Sequence, residues 1–245
     1  MFVAGFPSAA FGTNCYLLAP AIGEQCVIVD PGYRVADELA EVVAEFRLRP
    51  VAVLLTHGHI DHTFSVVPVC KANDVPAYVH SADRAMLADP TIGLSPELVA
   101  ALHQLPDGTV ETEPADVAEL SDGATLSLAG LTLTVDHAPG HTEGSVMFRL
   151  PGGVRRVGAQ LPPGAAELVE ASEVCLAGDV LFAGSVGRVD MPGGSAAAMA
   201  DSLRRRVLPL ADTVAVLPGH GPHTTIGRER RTNPYLLDPG VLTTA

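Results

Sequence analysis

The chain reads as a series of short apolar runs separated by amphipathic stretches. Residues 14–18 and 25–30 have strand length and aliphatic content, and Pro31-Gly32 closes the second run. Between Val35 and Phe46 the period changes. Val35, Leu39, Val42, Val43 and Phe46 recur at helical spacing, while Asp37, Glu38, Glu41 and Glu45 take the other face. Residues 51–55 form the next strand, and a helix is expected near 64–73. Ser95-Pro96-Glu97 opens another helix toward Leu105, with proline at the first helical position. Its apolar face of Leu98, Leu102 and Leu105 reads as packed against the body, a lid within 81–114 being the other use. Further strands fall at 133–137, 174–178 and 214–217. A helix over 196–210 places Met199, Leu203 and Val207 on one stripe behind Ser195 as N-cap. Residues 151–172, rich in Gly, Pro and Ala, read as a long loop or a short hairpin. Strand-helix units with paired strands between them predict two central sheets with helices outside.

Several strands run directly into residues that carry chemistry. The 51–55 run is followed by Thr56-His57-Gly58-His59-Ile60-Asp61-His62, three imidazoles and a carboxylate in one loop. An isolated H-x-H pair would be unremarkable on a surface, but desolvating four such groups together demands a partner such as a metal. Neutral imidazole and carboxylate ligate zinc, iron and manganese alike. Three more strands end in ligand types: Pro139-Gly140-His141, Gly178-Asp179 and Pro218-Gly219-His220. His80, His103, His137 and His223 fall outside this pattern and read as structural or surface residues, with His137 also considered as a support for the nearby His141.

Composition narrows the classes. The 245 residues are 47% hydrophobic, enough for one catalytic domain spanning 1–245. The formal net charge of −13 disfavours nucleic acid, because such binding rests on neutralising phosphates, and a single lysine, Lys71, stands among the basic residues. Cys15, Cys26, Cys70 and Cys175 are isolated and form no C-x-x-C pair, so they read as core residues. No run reaches the length of a membrane span, and no leader pattern opens the chain. A cytoplasmic protein without membrane attachment is expected.

The T-H-x-H-x-D-H run, followed by His141, Asp179 and His220, resembles the metallo-β-lactamase-fold hydrolase superfamily. Within it the chain is similar to the short bacterial glyoxalase II (hydroxyacylglutathione hydrolase)-like group. The narrower likeness rests on the segment 178–190 and on Thr225-Ile226-Gly227 and Arg230-Arg231-Thr232-Asn233-Pro234. The resemblance runs from about Phe11 to Pro234 and implies a four-layer αββα sandwich. It also implies a first metal held by His57, His59 and His141, a second by Asp61, His62 and His220, and Asp179 bridging both. Two divalent cations are expected, zinc first, with iron or manganese accepted by the same donors.

The implied reaction is hydrolysis of a small-molecule thioester, such as S-lactoylglutathione or a related hydroxyacyl thiol conjugate, by a metal-activated water. Asp61 and Asp179 are the catalytic carboxylates, and Arg188 or Arg231 is a candidate for a substrate carboxylate. Classical β-lactamases usually have Cys or Ser where this chain has Asp179, which counts against antibiotic hydrolysis. Long glyoxalase II enzymes carry a basic carboxyl-terminal helical domain for glutathione. No such domain is expected in the 25 residues after His220. Two other readings stand beside the thioesterase: a mononuclear iron persulfide dioxygenase on His57, His141 and Asp179, and a lactonase or other ester hydrolase on the same two metals. A non-catalytic metal-binding protein is disfavoured, because all seven ligand positions are filled.

Overall fold

The computed structural model describes residues 1–104, 113–154, 156–157 and 170–243. One sheet contains β1 (Phe2–Pro7), β2 (Asn14–Ala19), β3 (Gln25–Val29), β4 (Arg49–Leu54), β5 (Ala77–His80) and β6 (Val117–Leu120). A second contains β7 (Thr125–Leu128), β8 (Leu131–His137), β9 (Val146–Pro151), β11 (Glu173–Gly178), β12 (Val214–Pro218) and β13 (Thr224–Thr225). The short β10 (Arg156–Val157) pairs in parallel with β1, so the orders are β10-β1-β2-β3-β4-β5-β6 and β13-β12-β11-β9-β8-β7. Both sheets mix parallel and antiparallel pairs.

Strand alternation builds the layers. Tyr16 and Leu18 of β2 join Phe148, Leu176 and Leu217 in the core between the sheets. Their neighbours Cys15, Leu17 and Ala19 point to the other face, beneath Leu39 and Val42 of α1 (Ala36–Glu45). On the second sheet, Cys175 and Ala177 of β11 meet Met199 of α6 (Ala196–Ser202) and Leu203 and Val207 beyond it. Strands buried on both faces explain why these runs are continuously apolar. The fold is the four-layer αββα sandwich.

Several elements differ from the periodicity. Residues 2–7 form a full strand that the pattern did not suggest. The helix expected near 64–73 is α3 (Val66–Asn73), and a separate single turn that the pattern did not suggest, α2 (Ile60–Thr63), precedes it and carries Asp61 and His62. The 196–210 helix widens into π-type turns at Leu203–Val207, where Leu208 N–H donates to Leu203 O at 2.9 Å. Two further short helices, α4 (Arg84–Ala88) and α5 (Pro96–Leu102), follow β5. Leu102 of α5 packs against Tyr33, Ile60 and Phe64, whereas Leu98 stays 39% exposed. Leu105 and most of 151–172 lie outside the described residues. The chain closes with α7 (Ile226–Thr232) and α8 (Pro234–Leu237). All four cysteines are free and buried. Among the described residues no helix is long and apolar enough to cross a membrane.

Candidate metal centre

The carboxyl ends of β4, β8, β11 and β12 converge at one edge of the sandwich. The loop after β4 brings His57 and His59, and α2 adds Asp61 and His62. His141 follows β8, Asp179 follows β11 and His220 follows β12. Their donor atoms form three overlapping sets, each within 4.8 Å: His57, His59 and His141; His57, His62 and Asp179; Asp61, His62 and His220. Asp179 reaches across them. Its Oδ1 lies 3.4 Å from His62 Nε2, and its Oδ2 lies 3.5 Å from His141 Nε2 and 3.6 Å from His220 Nε2. Asp61 Oδ2 is 3.2 Å from His220 Nε2 and 3.5 Å from His62 Nε2. All seven expected ligands therefore share one cluster.

These residues fit cations. His57 Nε2, His62 Nε2 and Asp179 Oδ1 are buried without a hydrogen-bond partner, a costly state that a cation would relieve, and His59 turns its Nδ1 toward His141 Nε2 at 2.8 Å. The outer hydrogen bonds set the ring tautomers. Thr56 Oγ1 donates its one proton to Asp30 Oδ2 at 2.6 Å, so it accepts from His57 Nδ1 at 3.1 Å and leaves the His57 Nε2 lone pair facing the cluster. His62 Nδ1 donates to Asp30 Oδ2 at 3.0 Å, and His141 Nδ1 donates to the Arg188 carbonyl at 2.7 Å, with the same result. Asp30 also accepts from Thr56 N–H at 2.8 Å and holds a left-handed backbone, φ 50°. Thr13 Oγ1 donates to Asp61 Oδ2 at 3.0 Å.

Asp83, fully buried, joins the two histidine loops by accepting from Gly58 N–H (2.9 Å), Gly144 N–H (2.7 Å) and Thr142 Oγ1 (2.7 Å). Asp30, Thr13, Thr56 and Asp83 were not singled out by the sequence as supports. His137 instead stacks on His80 at 4.1 Å and donates to the Glu143 carbonyl. Gly219 is required sterically, since a Cβ there would collide with Asp179 Oδ1 and approach His62 Cε1.

The electrostatics divide the donors. Burial, reinforced by neighbouring imidazoles, pushes His57 well below its ordinary value. His59 and His141 fall to about 4, mainly through burial. Burial would also lower His62, but Asp61 and Asp179, with Asp30, outweigh it and raise the ring to about 10. His220 is likewise raised against its burial, by Asp61 and Asp179. Burial favours the protonated form of both carboxylates, yet His62 and His220 hold Asp61 well below the usual range, while Asp179 stays raised. Without metal the cluster thus has neutral imidazoles on one side and a charge-paired group on the other.

A cavity of about 630 Å³ opens onto the cluster. Its floor is polar, with His59, Asp61, His141, Asp179 and His220. Much of its wall is apolar, including Phe11, Phe182, Leu94, Leu98 and Leu102. Phe182 meets the His220 ring edge-on at 5.9 Å. Arg188 also lines the cavity, and its guanidinium holds Asp190 through Nε at 2.7 Å and Nη2 at 2.8 Å. Arg231 is exposed on α7 and is not among the lining residues.

Comparison with known proteins fixes the family. Residues 9–155 match the Metallo-beta-lactamase superfamily. The chain belongs to that superfamily. An uncharacterized protein of Mycobacterium tuberculosis is 42% identical over 96% of this chain and 98% of its own length. The hydroxyacylglutathione hydrolase GloC of Haemophilus influenzae is 31% identical over 94% of this chain and 95% of its own. Among solved structures, the BLEG-1 B3 metallo-beta-lactamase superposes with a TM-score of 0.75 at 32% identity, covering 96% of this chain and 99% of that one. TTHA1623, in a di-iron-bound form, gives 0.72 at 32% identity, with 95% and 99% coverage. Superfamily and cluster together make this a metal-dependent hydrolase fold with a site suited to two divalent cations.

Proposed function

We propose that the protein hydrolyses a thioester, a hydroxyacyl thiol conjugate of the S-lactoylglutathione type, using two divalent cations held by the seven-residue cluster. The observation that carries this reading is Asp179, whose two oxygens face both halves of a donor set that has unpartnered buried atoms and outer-fixed tautomers. Cations bound there would supply an activated water at neutral pH and positive charge near the carbonyl oxygen.

The chain's own groups do the rest. His57, His59 and His141 form the first ligand set, and Asp61, His62 and His220 the second. Asp61, its Oδ2 anchored by Thr13, stands at the cavity floor, where it would orient a water. A departing thiolate needs no strong acid, its conjugate thiol having a pKa near 8.5. Covalent catalysis by cysteine is disfavoured, because burial pushes the thiols up, Cys26 and Cys70 to about 12. The likeness to GloC supports the thioester. Zinc is the first choice of metal, and the di-iron neighbour keeps iron in the test.

The test is elemental analysis of purified protein beside a panel of lactoyl thioester, lactone, persulfide and β-lactam substrates. About two metal equivalents per chain, and thioester turnover abolished by chelation and restored by zinc, are expected. One iron per chain with oxygen uptake on persulfide, or turnover confined to lactone or β-lactam, would overturn the proposal.

A further inference from the structure

We propose that the cavity wall beside the metal cluster is an apolar subsite, so that the preferred substrate carries an aliphatic or aromatic group of several carbons next to the scissile bond. The inference rests on the hydrolase reading above and specifies its substrate class. A tripeptide thiol such as glutathione brings two carboxylates, an ammonium and two amide groups, each of which must keep water or find a partner when buried. The described lining offers one cation, Arg188, and both its Nε and Nη2 already hold Asp190. The wall is instead built to shed water.

Three features make it. Leu94, Leu98, Ala101 and Leu102 recur at helical spacing along and just before α5, and all face the cavity. Leu102 is anchored on Tyr33, Ile60 and Phe64, which fixes the helix over the floor and leaves Leu98 uncovered. Across the floor, Phe182 is held over His220 by a built turn: Gly184 N–H donates to the buried Glu229, and Asn233 Nδ2 donates to the Ser185 carbonyl. The exposed large apolar side chains among the described residues are Phe11, Ile92, Leu98, Leu237 and Val241, and of these Phe11 and Leu98 border this one cavity. An apolar substituent seated between them would cover both while its carbonyl reaches the polar floor.

The subsite serves an acyl chain or an apolar leaving group, and the experiment separates the two. On metal-loaded protein, kcat/KM is measured for acetyl to octanoyl esters of one small thiol, and for one acyl group on glutathione, an alkyl thiol and an aryl thiol. Octanoate binding is followed by calorimetry as a readout independent of turnover. A rise of about two- to fourfold per methylene in the acyl series, or a matching gain for apolar thiols over glutathione, is expected. Leu98→Asp and Phe11→Ser, both at exposed positions, should flatten that rise and weaken octanoate binding, with the thermal midpoint nearly unchanged. Flat series with lactoylglutathione the best substrate, or variants that leave the slope intact, would overturn the subsite while leaving the thioesterase standing. Leu98-dependent octanoate binding without any thioester turnover would sustain the subsite and sink the thioesterase.

Discussion

Three imidazoles of the cluster, His57, His62 and His141, are told by a neighbour outside it which nitrogen to present. The ligands themselves were legible in the sequence because four of them are nearly contiguous and the others end strands behind Gly. Asp30, Thr13 and Asp83 were not, because each is an ordinary polar residue whose meaning depends on partners 26, 48 and 25 to 61 positions away. Asp30→Ala removes the acceptor for both His62 and Thr56, and should weaken metal binding by about 10- to 100-fold, read by competition with a chelating dye. Asp179→Ala should cut thioester turnover by roughly a thousandfold or more and lower metal stoichiometry, with the circular dichroism spectrum retained. The protonation pattern gives a third expectation. His62, raised to about 10, carries a proton in the metal-free protein at neutral pH, and a cation at its Nε2 must displace it. Metal affinity should therefore rise with pH through the neutral range, with proton release seen as buffer-dependent heat in calorimetry. His59 and His141, at about 4, add a further loss of affinity only in acid. Heats independent of buffer would refute that assignment.

At the scale of elements, the ligand strands β4, β11 and β12 were clear because their last residues are apolar on both faces, and β8 because its apolar positions alternate, while β1 was hidden by its own composition. Its Gly5 and Pro7 look like a terminal segment, yet Gly5 is where β1 lies against the Tyr16 ring, too close for a Cβ. The α2 turn was equally invisible, since the four residues Ile60–Thr63 are too few to show a helical period. Asp83 is the joint between the β4 and β8 loops. Asp83→Ala leaves two buried N–H groups and a hydroxyl without their acceptor, and should cost roughly 3 kcal/mol in chemical denaturation. Because both loops loosen, it should also lower metal affinity, whereas an exposed substitution such as His103→Ala should do neither.

For the whole molecule, repetition made the architecture readable: four strands, each delivering a ligand at the same end, leave few arrangements other than stacked sheets sharing one edge. The core between the sheets contains none of the ligands, so chelation should leave the sandwich folded. Loss of the cations should still lower the thermal midpoint, because tight ligands well above their dissociation constants add several kcal/mol of stability. A net charge of −13 also sets the molecule's field against anions. Turnover of carboxylate-bearing thioesters at low concentration should accelerate as salt rises toward 0.15 M, while neutral ones stay level.

The ligands are divided along the chain: His57, His59, Asp61 and His62 belong to the first sheet's half, His141, Asp179 and His220 to the second's. Asn14 and Tyr16 of β2 already reach across to the Pro218 carbonyl at 2.9 and 2.8 Å, beside that divide. A cation at the cluster would thus clasp two pieces that each hold only part of its coordination. Severed at the exposed Asp122-Gly123 turn, the two halves still share the core between the sheets, and zinc should tighten their association while chelator weakens it.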